Sequence, residues 1–195
     1  MKRLLVSTSI AASAIVPSAA LAQALPPAVV AVVDVDRVRT TCNACRTAIA
    51  ELQAQQSAED SRERALVAPL ETEQKSIQAA ANALNGKQPD AALQARAKAF
   101  QAKYQQAQEE AARGRQQLQL NQQYVVKQID DKMNPIFGQV LQRRGANILV
   151  EQSATLAAAS SVDVTGDVLA ALNTALTTIQ TTAPAPARPN QPQGR

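Results

Sequence analysis

Cys42-Asn43-Ala44-Cys45 is the one motif in this 195-residue chain whose residue types and spacing point to specific chemistry. Two thiols three residues apart, opening a helix after a strand, can form a redox pair because the helix dipole lowers the pKa of the first. The same spacing permits a local disulfide in an oxidising compartment, a bridge to another subunit, or part of a metal site. Arg39 and Arg46 are the only nearby cations that could activate a thiolate. The repeated strand-helix-strand pattern of a thioredoxin-type fold is missing. A structural disulfide, local or inter-subunit, is favoured over redox catalysis, and metal binding comes last.

Histidine is absent altogether. That excludes Ser-His-Asp and Cys-His nucleophiles, imidazole bases and every His-containing zinc site. No GxxxxGK[ST] phosphate loop occurs among the six glycines, so nucleotide-driven work is not expected. No cofactor is implied, and the chain does not read as an enzyme.

A second pattern is electrostatic. Lys75, Lys87, Arg96, Lys98 and Lys103 face only Asp90 between positions 75 and 103. Such a surface could attract lipopolysaccharide, anionic lipid head groups or acidic polypeptide, although an ordinary solvated helix face accounts for it slightly better. The net charge of +4 does not signal nucleic acid. Setting aside Lys2, Arg3, Arg188 and Arg195 at the two ends leaves 16 basic against 16 acidic residues. With two Phe, two Tyr and no Trp, there is also little on which bases could stack.

The elements that must carry these residues follow from composition. Of the 46% hydrophobic residues, 40 are alanine, so large core side chains are few and a single close-packed globule is not expected. Lys2-Arg3, the apolar run Leu4 to Val16 and the small-residue site Ala20-Leu21-Ala22 read as a signal peptide over residues 1–22. Residues 23–43 hold a first strand, Val29 to Val35, and the approach to a helix. Residues 44–144 read as a long helical hairpin rich in Ala, Gln, Glu, Leu and Arg, with its tip at 85–90 and Asp90 able to cap the second arm. Pro69 and Asn134-Pro135 predict kinks.

Both arms carry a 3-4 spacing, and in the first it runs through positions 49, 52, 56, 59, 63, 66, 70, 73, 77, 80 and 84. Gln56, Glu59, Glu63 and Glu73 interrupt that seam. The second is mostly small residues, with Leu93, Phe100, Tyr104, Leu118 and Val125 as its larger members and Asn121 between the last two. This is coiled-coil spacing with little apolar burial per turn. Residues 145–180 supply return strands at Asn147 to Glu151 and Ala154 to Ala157, then a closing helix from Val168 to Ile179 capped by Thr165. Residues 181–195 form a disordered Pro-rich tail. So small a β body needs association of several copies.

The order of strand, long hairpin, return strands and terminal helix resembles the Skp/OmpH family of periplasmic chaperones. The residues carrying the resemblance are Val30-Ala31-Val32-Val33-Asp34-Val35, Ile148-Leu149-Val150-Glu151, and Asp163-Val164-Thr165-Gly166-Asp167-Val168-Leu169. The hairpin adds length and composition only. The fold class is then α+β, mostly α: a small β body with a long antiparallel coiled-coil hairpin, or tentacle, assembled as a homotrimer. The resemblance implies an ATP-independent periplasmic holdase, with unfolded outer-membrane β-barrel proteins as partners. The cysteine pair and the Pro-rich tail depart from the family pattern. The alternative is a structural or adaptor coiled-coil protein of the cell envelope. An adaptor, however, needs large β-rich halves beside its hairpin, and a spacer would favour stiffer, more apolar seams.

Overall fold

The structure, a computed structural model, describes residues 25–184. The expected signal peptide and residues 185–195 of the expected tail lie outside them. Strand β1 (Val30–Val33) leads into a short helix α1 (Val35–Thr41), then the arms α2 (Asn43–Ala83) and α3 (Ala91–Arg144), strand β2 (Ile148–Glu151) and helix α4 (Thr165–Ala175). Two 3-10 turns, Gln152–Ala154 and Ser160–Val162, bridge β2 to α4.

The two strands pair in parallel, Val30 opposite Ile148 through Val33 opposite Glu151, so the whole hairpin is the crossover between them. On its other edge β1 makes a single parallel bridge, Val32 to Asp163. The expected strand at Ala154 to Ala157 does not form. That segment is irregular and Leu156 is fully exposed, with no partner for a third ladder.

Helix α1 is a second departure. Val35 belongs by composition to the β-branched run, but Asp34 ends the strand by accepting a hydrogen bond from the Arg37 N–H, 2.8 Å away, and so caps a helix. Val38 is then turned into the core. At the other end Thr165 is not the cap of α4 but lies inside its first turn. Its hydroxyl accepts from the Asp34 N–H at 2.9 Å, joining the two ends of the body, while the Asp163 carboxylate accepts from the Thr165 N–H at 2.8 Å. Hydrogen bonding from the Thr165 side chain and then from its N–H holds the Asp163 carboxyl below its ordinary range. Helix α4 ends at Ala175, short of Ile179, but Leu176 and Ile179 still pack on the core.

The core sits at the root of the hairpin. Val125, Ile129, Met133, Ile136 and Val140 recur on one face of α3 and meet Ala31 and Val33 of β1, Val38 of α1, and Val168 and Leu172 of α4. Met133 and Ile136 flank Pro135, and this packing keeps α3 one continuous helix past the proline. Helix α2 likewise continues through Pro69. Pro69 and Ala65 are exposed, so the carbonyl that loses its helical partner faces water. At the tip, Asn85 and Gly86 take positive φ and Asp90 caps α3 through the Leu93 N–H.

Candidate functional site

Apart from the core at its root, the hairpin is a thin structure. Its 41-residue first arm spans about 60 Å at the helical rise. The positions read from the sequence as the α2 seam are the ones turned inward, with one exception. At the first polar step it is Gln55, not Gln56, that faces α3. Gln55 Oε1 accepts from Asn121 Nδ2 at 2.8 Å, whereas Gln56 is exposed and donates to Asp60. On α3, Tyr104 is 47% exposed instead of filling the seam. The small residues Ala107, Ala111 and Gly114 let the arms approach closely, and Glu59 lies against Gly114 where any β-carbon would collide with it. One oxygen of Glu59 is buried there without a hydrogen-bond partner.

Polar ties across the arms replace the missing apolar burial. Arg62 bonds Glu110, Arg115 Nη1 reaches Glu63 Oε1 at 2.7 Å, Lys103 Nζ reaches Glu73 Oε2 at 2.9 Å, and Arg96 donates to Ser76 Oγ at 2.9 Å. Glu110, by hydrogen bond and charge, raises the Arg62 pKa further above its ordinary value. These groups are largely exposed, so each tie contributes little. Leu66, Val67, Leu70, Tyr104, Ala107 and Ala111 line a mid-arm groove of 190 Å³.

All five basic residues singled out near the tip are exposed. They are not gathered into one site. Lys75 stands on α2, Lys87 in the turn, and Arg96, Lys98 and Lys103 on α3, spread over about 20 Å of arm. Lys103 and Arg96 are engaged by Glu73 and Ser76 across the hairpin; Glu73 stands just outside the window in which charge was counted. Lys75, Lys87 and Lys98 make no ion pair among the described residues.

Cys42 and Cys45 form a disulfide at the junction of α1 and α2, with Cα atoms 5.0 Å apart and no exposed surface on either residue. The Cys45 N–H points at Cys42 Sγ, and Asn173 of α4 accepts from the Asn43 N–H at 2.8 Å, so two donors at the start of α2 are satisfied. The nearby guanidiniums point elsewhere. Arg39 makes a pair of hydrogen bonds to Asp130, at 3.0 and 2.9 Å, and Arg46 bonds Asn43. A pair so enclosed is shielded from an attacking thiolate.

Two features of the surface were not read from the sequence. The sheet carries exposed Val29, Val30 and Ile148, and β2 has an unpaired edge. The segment after α4 does not leave the protein at residue 181: Thr181 is buried against the root of the hairpin, and Ala183 bonds Asn121. The signal for the latter was Asn121 itself, a polar residue at a seam position. Among the described residues no helix is long and apolar enough to cross a membrane, and no group of three or more His, Cys, Asp or Glu could hold a metal.

The class of protein this fold defines is mostly helical, with a long paired-helix hairpin rooted in a small two-stranded parallel sheet. The family model for outer membrane protein (OmpH-like) matches residues 29–172, and the chain belongs to that family. A solved structure described as a putative outer membrane chaperone (OmpH-like) from Caulobacter crescentus is similar in fold, with a TM-score of 0.67 at 20% identity. The similarity covers 83% of this chain and 95% of that one. No curated protein matches the sequence.

Proposed function

We propose that the protein is an ATP-independent holdase of the periplasm, working as a trimer that keeps unfolded outer-membrane β-barrel proteins from aggregating. The observation that carries this reading is the hairpin: an arm of about 60 Å, thinly seamed and tied by exposed ion pairs, projecting from a small body. Such arms offer many weak contacts on a wall that can adjust to client size. A β-barrel chain before insertion has alternating apolar residues and unpaired backbone, and needs cover that is broad but easily released. Family membership supports the same reading. Trimer formation is supported by the unpaired edge of β2 and the exposed Val29, Val30 and Ile148, because a two-stranded sheet is marginal alone. The unpaired Lys75, Lys87 and Lys98 would favour anionic client segments or lipid head groups.

The test is dilution of a urea-unfolded outer-membrane porin into nucleotide-free buffer, followed by light scattering, with the mass of the free protein measured alongside. Suppressed scattering and a mass of three chains are expected. Unchanged aggregation at severalfold excess of protein would refute the holding activity, and a monomeric mass would refute the assembly.

A further inference from the structure

Beyond α4 the chain runs back over the root of the hairpin, and it is held there mainly through its backbone. Leu176 is buried in the core and Ile179 packs on it. The next residues meet a row of side-chain amides. The Gln180 N–H donates to Gln128 Oε1 at 3.0 Å and the Gln180 carbonyl accepts from Gln128 Nε2 at 2.8 Å. The Thr181 carbonyl accepts from Gln55 Nε2 at 3.3 Å, and the Ala183 N–H donates to Asn121 Oδ1 at 2.9 Å. Only Thr181 adds a side-chain bond, its hydroxyl donating to Glu51 at 2.8 Å and accepting from Gln55.

Gln128 engages both peptide groups of one residue, as a residue on a neighbouring antiparallel strand does. The amides are also fixed in advance. Asn121 is buried, accepts from Gln117 and donates to Gln55, so its orientation is set by the arms themselves. A row of oriented amides aimed at N–H and C=O groups is indifferent to most side chains. It selects for unpaired backbone groups, here those on either side of a bend at Thr182.

We infer that the hairpin root, through Gln55, Asn121 and Gln128, is a binding site for unpaired polypeptide backbone, that residues 180–183 fill it in cis, and that an unfolded client segment competes with them. The inference rests on the holdase reading and adds to it a located contact and a built-in competitor. The matching partner is a chain whose N–H and C=O groups are unpaired, the state of a β-barrel strand before its barrel closes.

Hydrogen–deuterium exchange on the full-length protein, with and without a urea-unfolded porin, tests this while light scattering scores holding independently. With the porin held, the amides of Gln180 and Ala183 are expected to exchange at least fivefold faster, and those of the β1–β2 ladder at their original rate. Porin held with residues 180–183 still protected overturns the inference and leaves the holdase reading standing. Absence of holding in the scattering arm defeats both. A second variant keeps every arm side chain: Gln180→Pro with Ala183→Pro removes both donated N–H groups downstream of α4. It is expected to bind the porin about tenfold more tightly, because two hydrogen bonds no longer oppose the client. Affinity equal to that of the unmodified protein also overturns the proposal.

Discussion

In the body, Val38, Val140, Val168 and Leu172 have no exposed surface, whereas along the arms from residue 52 to residue 107 Leu70 alone is buried. The same alanine-rich chain therefore uses two means of cohesion. The root is held by apolar packing, which at about 25 cal/mol per Å² is strong and insensitive to salt. The arms are held by exposed ion pairs and amides that water can replace at little cost. The difference separates a closely packed base from arms whose ties water can replace.

The largest expected effect is at the root. Leu172→Ala should lower global stability by about 3 kcal/mol, because a cavity opens where α4 meets α3 and β1. Leu66→Ala at mid-arm should cost less than half as much in the same denaturant titration, and equal costs would erase the contrast. Next comes the disulfide. Replacing Cys42 and Cys45 by Ala removes a short covalent loop inside the core and should cost about 2 kcal/mol. Holding by the folded fraction should survive, since no electron transfer is required; loss of holding with normal assembly would assign the cysteines a chemical role.

A smaller and opposite effect belongs to the arms. Glu59→Met keeps the side chain's length beside Gly114 but removes the buried oxygen that lacks a partner, and should raise arm stability by about 1 kcal/mol in thermal unfolding. The smallest effect is ionic. Raising salt to 1 M shortens the screening length to about 3 Å, so amides of residues 93 to 110 should exchange about twofold faster while those of β1 and α4 stay unchanged. A uniform response along the chain would mean that the arms share the body's cohesion.

The arms were legible in the sequence because one spacing recurs over many turns; the slip on α2, Gln56 for Gln55, fell where polar residues stand side by side and hydropathy cannot choose between them, and on α3 Tyr104 kept the register but not the burial. The start of α1 was not legible. Val35 and Val38 suit a strand as well as a helix, and the choice is made by the Asp34 cap. The parallel pairing of β1 with β2 joins residues more than a hundred positions apart, which no local pattern encodes. That both helices run on past Pro69 and Pro135 was not legible either, since neither an exposed carbonyl nor flanking core contacts can be seen from composition. The segment at 180–183 carries no periodicity at all, and its docking depends on amides contributed by both arms.

The parallel sheet also fixes the order of events in folding. Val30 cannot meet Ile148 until both arms have been delivered and have turned the chain back, so the ladder closes one of the longest loops in the molecule. The local helices need no such wait. Arms thus form early and the sheet late, and the open edge of β2 comes into existence only in a chain complete through Glu151. A copy clipped before Ile148 keeps both arms but has no second strand, so the sheet and its open edge belong only to a chain that has passed through the whole hairpin.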